Sequence, residues 1–85
     1  MKLWLLKRRE DLLPGHDPWS PWFDKNLGLV VRAETEQRAR EIAEDAGADE
    51  SRDADKPWMD AACSTCNELH ASGEEGVVII DHAAA

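Results

Sequence analysis

The chain has 85 residues, 42% of them hydrophobic and 33% charged, with a formal net charge of −8. That composition is globular rather than disordered. The length fits a single domain over residues 1–85, with one thin core and little room for a deep cleft. The charge is polarised: residues 1–32 carry six Lys/Arg against four Asp/Glu, whereas residues 33–85 carry four against fourteen. Such a chain should be repelled by phosphate backbones and anionic lipid, and drawn to basic protein surfaces.

Residues 2–9 read as a first strand. Leu3 and Leu5 point one way, Trp4 and Leu6 the other, so both faces call for cover and the strand should be an inner one. The opening MKLWLLKRRED is apolar only from Leu3 to Leu6, too short for a secretion signal. The longest aliphatic run, residues 77–80, falls far below the roughly 20 residues that span a bilayer. The expected location is cytoplasmic, with no membrane partner and with Cys63 and Cys66 reduced.

Residues 10–26 are a connection marked by Pro14-Gly15, Asp17-Pro18 and Ser20-Pro21. Residues 27–33 read as strand two, with Leu29, Val31 and Ala33 on one face and Val30 and Arg32 on the other. Residues 35–46 carry the clearest signal. Thr35 is the expected N-cap, and Glu36 sits where the helix dipole favours negative charge. Ala39, Ile42, Ala43 and Ala46 form an apolar stripe, Glu34/Arg38 and Glu36/Arg40 are i, i+4 pairs, and Gly47 is the expected stop. The small stripe predicts a helix lying close on its sheet.

Residues 48–57 read as a charged loop, with Trp58 and Met59 returning the chain to the core. Residues 64–70 read as a third strand and residues 77–82 as a fourth. The expected fold is α+β: a small, mostly antiparallel sheet of three to four strands in the order β-β-α-β-β, with one helix packed on one face. The other face, assigned Trp4, Leu6 and Val30, would need a cover. The stretch DPWSPWF, stiffened by proline, supplies Trp19, Trp22 and Phe23 for that purpose. The same aromatics would also serve as interface anchors, and an uncovered face would suit a homodimer.

Candidate chemistry is sparse. Cys63-Ser64-Thr65-Cys66 is a C-x-x-C that, with His70 and His82, could make a tetrahedral zinc site; this is the alternative reading, a small zinc-stabilised module. A redox role would want the first cysteine at a helix N-terminus after a strand, and no apolar strand precedes Cys63. His16-Asp17 and Asp81-His82 are sequence neighbours and do not make a catalytic pair. No nucleophile–base set or glycine-rich phosphate loop stands out, so the chain reads as non-enzymatic with no cofactor. Lys7, Arg8, Arg9 and Arg32 are the basic cluster, opposed by the acidic remainder, so direct nucleic-acid binding is not expected.

MKLWLLKR, then GLVVRAETEQRAREIAED, a lone Trp and GEEGVVIIDHAAA together resemble short phage and mobile-element proteins of unknown function. Val31 to Ala39 carries a V-x-A-x-[ST]-x-x-x-A junction, and Gly76 to Asp81 the final strand pattern. In size and strand–helix order the chain is also similar to small acidic anti-CRISPR proteins. That likeness implies an inhibitor acting as a DNA mimic on the basic groove of a CRISPR surveillance complex. The expected function is therefore an acidic binding protein docking on a basic, nucleic-acid-handling partner. Glu41, Glu44, Asp45, Asp49, Glu50, Asp53 and Asp55 are the expected contact residues, with Trp19 and Trp22 as anchors.

Overall fold

A computed structural model describes residues 1–20, 22–52 and 55–80. Strand β1 spans Lys2–Arg8 and strand β2 Gly28–Ala33. Helix α1 spans Glu36–Asp45, a 3-10 turn follows at Asp49–Ser51, and strand β3 spans Ser64–Leu69. The sheet order is β2-β1-β3, antiparallel throughout, with β1 in the centre as its two-sided apolar pattern predicts. Arg9 lies just past the strand, but its N–H still donates to Cys63 O at 2.9 Å.

Register decides which side chains share a face. Trp4 pairs with Val31, and Leu6 with Leu29 on one side and Cys66 on the other. Trp4, Leu6, Leu29, Val31 and Ala33 therefore all face α1. Their core is completed by Ala39 and Ala43 of the helix, both fully buried. The opposite face carries Leu3, Leu5, Val30 and Leu69, of which Leu3 and Val30 are exposed.

The helix forms where its local signals put it. Thr35 is extended, and its Oγ1 accepts from Arg38 N at 3.2 Å. The Glu36–Arg40 pair is made at 3.0 Å. The expected Glu34–Arg38 pair is not; Arg38 turns to Glu41 at 3.4 Å, and Glu34 meets the N-terminal ammonium at 3.8 Å. The apolar stripe ends early, because Ala46 is the C-cap and is exposed. Gly47 does follow the helix, and its lack of a side chain has a definite use. A Cβ there would lie 1.9 Å from Ser51 Oγ and 2.6 Å from Ser51 Cβ.

Two expectations are corrected. The proline–tryptophan arm does not cover the face away from the helix. Trp19 is fully buried on the helix side, in the same core as Leu6 and Ala43, and Phe23 is fully exposed. A helix this short and alanine-rich leaves part of its own side of the sheet open, and Trp19 with Trp58 fills that space. The second correction concerns the fourth strand. Residues 71–80 form no strand and are all exposed, so among the described residues the sheet has three strands. Asp81 and His82, the expected end of that strand, lie outside the described residues.

Candidate functional site

A polar hub inside the core determines which acidic residues remain available. Trp19 and Trp58 meet edge to face, ring centroids 5.3 Å apart. Trp19 Nε1 donates to Asn26 O at 2.8 Å, and Trp19 N to Asp17 Oδ1 at 2.9 Å. Glu50, expected at the surface, is 1% exposed. Its Oε2 accepts from Trp58 Nε1 at 2.8 Å and from Ala48 N at 3.3 Å, and its Oε1 from Asn26 N at 2.9 Å. A carboxylate removed from water persists when several N–H groups converge on it. Glu44 is half-buried, its Oε1 accepting from Trp58 N at 2.9 Å.

Arg40 closes the hub on its other side. Its guanidinium donates from Nε to Glu36 Oε2, from Nη1 to Trp58 O and Ser64 Oγ, and from Nη2 to Ser64 O, all at 3.0–3.2 Å. Sequence reasoning gave Arg40 one partner, Glu36. Its neighbour in space is β3, 24 residues away, which no local pattern reveals.

Of the expected contact residues, then, Glu50 and Trp19 are buried and Glu44 is tied to the core. Trp22 is half-buried, with the Arg52 guanidinium 5.5 Å from its ring centroid. Asp53 lies outside the described residues. Glu41 is half-buried and shared with Arg38. Asp55 stands apart, in an open cleft of about 770 Å³ lined also by Asp11, His16, Asp17, Asp60 and Cys63. Much of that cleft's charge is matched: Arg9 holds Asp11 at 3.0 Å and Arg8 holds Asp17 at 3.3 Å. The Arg9 guanidinium holds the Asp11 carboxyl below its ordinary range.

One group of unmatched acidic residues lies at the C-terminal end of α1. Asp45 and Asp49 are joined there by Asp24, which sequence reasoning missed. The segment around Asp24 is stitched to the helix end by Asp49 N donating to Asp24 O at 2.9 Å and Asn26 Nδ2 to Ala46 O at 3.2 Å. Asp24, Asp45 and Asp49 make no ion pair among the described residues. The last turn of α1 holds no basic residue, so the negative end of the helix dipole adds to their charge. Phe23, next in the chain to Asp24, projects fully into solvent. The sequence signal for this site was the bare adjacency Phe23-Asp24 after the prolines.

Both cysteines are free and pack against the core from different positions. Cys66 faces Leu6 on the helix side of β3; Cys63 precedes the strand and its Sγ donates to Asp60 Oδ2 at 3.7 Å. Partial burial raises both thiol pKa values, and Asp60 raises that of Cys63 further. His70 is exposed beside Glu68, and His82 lies outside the described residues. Among the described residues no three His, Cys, Asp or Glu side chains are placed to hold a metal ion, and no helix is long and apolar enough to cross a membrane. No family model, curated protein or solved structure matches the chain.

Proposed function

We propose that the chain is a non-enzymatic, cytoplasmic binding protein that docks the anionic end of α1 on a basic, nucleic-acid-handling protein. One observation carries this reading: fully exposed Phe23 adjoins Asp24, whose carbonyl is bonded to Asp49 N just past the end of α1 that carries Asp45, and the three carboxylates make no ion pair among the described residues. Placing like charges at the negative end of a helix costs stability, and an exposed aromatic gains nothing from folding. Both features become favourable when a cationic surface with an apolar recess covers them: the aromatic supplies the desolvated anchor and the carboxylates steer the encounter. The resemblance to acidic anti-CRISPR proteins names the partner to try first, a CRISPR surveillance complex.

The test is a titration of the chain against such complexes over rising salt, alongside titration with duplex DNA and RNA. The expected result is protein binding that weakens steeply with salt, and no nucleic-acid binding. Asp24→Lys/Asp45→Lys/Asp49→Lys should abolish complex formation, and Phe23→Ala should weaken it about tenfold or more. Binding unmoved by salt and by these substitutions, or tight binding of nucleic acid by the free chain, would overturn the proposal.

A further inference from the structure

The sheet face away from α1 is apolar, and so is the segment that runs beside it. Leu3 and Val30 are 38% and 55% exposed, and Val77, Val78 and Ile80 are 72–80% exposed. Ile79 is the least exposed of its run at 43%, and with Leu5, Leu27 and Val30 it lines a shallow groove along β2. Segment and sheet face thus meet at Ile79.

Charge on this surface comes in both signs. Alternation along the strands puts Lys7 and Arg32 on the same face as Leu5 and Val30. Neither forms an ion pair among the described residues. Glu74 and Glu75, both exposed, enter the apolar segment. A patch that carries a charge and its complement around an apolar centre can pair with its own copy across a two-fold axis.

We propose that this face and residues 74–80 form an isologous interface with a second copy of the chain. Residues 77–80 of each copy cover Leu3, Leu5 and Val30 of the other, and Glu74 and Glu75 of each meet Lys7 and Arg32 of the other. The edge of β2 is left without a strand neighbour among the described residues, which leaves room for the second copy to approach. The inference is independent of the docking reading, which uses the end of α1.

The experiment is sedimentation equilibrium of the full chain. The expected mass is twice that of the chain at protein concentrations on the order of 100 µM. Val78→Asp/Ile80→Asp and, separately, Val30→Glu should each weaken association about tenfold or more. All these sites are exposed, and circular dichroism should show the fold unchanged. Charge reversal supplies the decisive arm. Lys7→Glu/Arg32→Glu and Glu74→Lys/Glu75→Lys should each associate weakly alone and tightly when mixed, since both cross-contacts are then restored. A chain that stays monomeric on the order of 1 mM overturns the proposal, as does a dimer indifferent to these substitutions or a mixture no tighter than its components.

Discussion

Glu50 accepts a hydrogen bond from the indole nitrogen of Trp58 at 2.8 Å, inside the core and eight residues back along the chain. The same carboxylate takes the backbone N–H groups of Asn26 and Ala48. It thereby fastens the arm that carries Phe23 to the turn after α1 and to the Trp58 return. Glu50→Ala leaves one buried and two part-buried donors without partners and should cost about 3 kcal/mol. Glu50→Gln keeps one acceptor oxygen but turns an amide N–H₂ toward a donor, and should cost about 1–2 kcal/mol. Urea denaturation read by tryptophan fluorescence checks both; a change below 0.5 kcal/mol for the alanine variant, on the order of ordinary surface substitutions, contradicts the assignment.

The two aromatics of the proline-rich arm should separate cleanly. Trp19 is fully buried and Phe23 fully exposed. Trp19→Ala should cost about 3–5 kcal/mol, a large share of the stability of so small a chain. Phe23→Ala should leave the thermal midpoint unchanged while weakening the partner complex. Thermal melts of the two variants side by side decide it; equal destabilisation by both would mean that the arm is packed differently.

Arg40 and Ser64 form a coupled pair across α1 and β3. Arg40 Nη1 donates to Ser64 Oγ, which itself donates to Pro57 O at 2.8 Å, and Arg40 Nη2 donates to Ser64 O. Arg40→Met should cost about 2–4 kcal/mol, since the carbonyls of Trp58 and Ser64 lose their donor. Arg40→Lys should recover part of this, limited by the loss of the planar fork. In a double-mutant cycle Arg40→Met and Ser64→Ala should couple by about 1 kcal/mol or more; additive effects would dissolve the pair.

Thiol chemistry follows from the raised pKa values of Cys63 and Cys66. In the folded state both thiols hold their protons above the ordinary cysteine range. Their contribution to stability is therefore complete below that range and is lost as pH rises through the folded-state values. Alkylation by iodoacetamide at pH 8 should be slower in the folded chain than in urea, because the thiolate is the reactive form. Cys66→Ala should blunt the alkaline fall in the urea midpoint. Faster alkylation of the folded chain than of the unfolded one would reverse the sign and refute the prediction.

How much of this could be read in advance depends on how far each interaction reaches along the chain. The sequence by itself determined α1, because a Thr35 cap, an Ala39/Ala43 stripe and a Glu36–Arg40 pair are all made within one or two turns. It likewise determined the three strands and the central place of β1, through alternation that is a property of each strand alone. The polarised charge needed no structure at all. Tertiary structure decided the rest. Alternation tells which residues of a strand share a face, but only the Trp4–Val31 and Leu6–Leu29 register tells which faces of two strands coincide. A shift of one residue exchanges the covered and open sides; without the register, Trp4 and Leu6 group as readily with Val30, and the arm is then expected on the side away from the helix. Glu50 reads as a solvated acid because its donors lie in Asn26, Ala48 and Trp58, and two of these are remote in sequence. Residues 77–80 have a strand's composition without being a strand, since a strand exists only through a neighbour's hydrogen bonds, and sequence cannot show that the neighbour is missing.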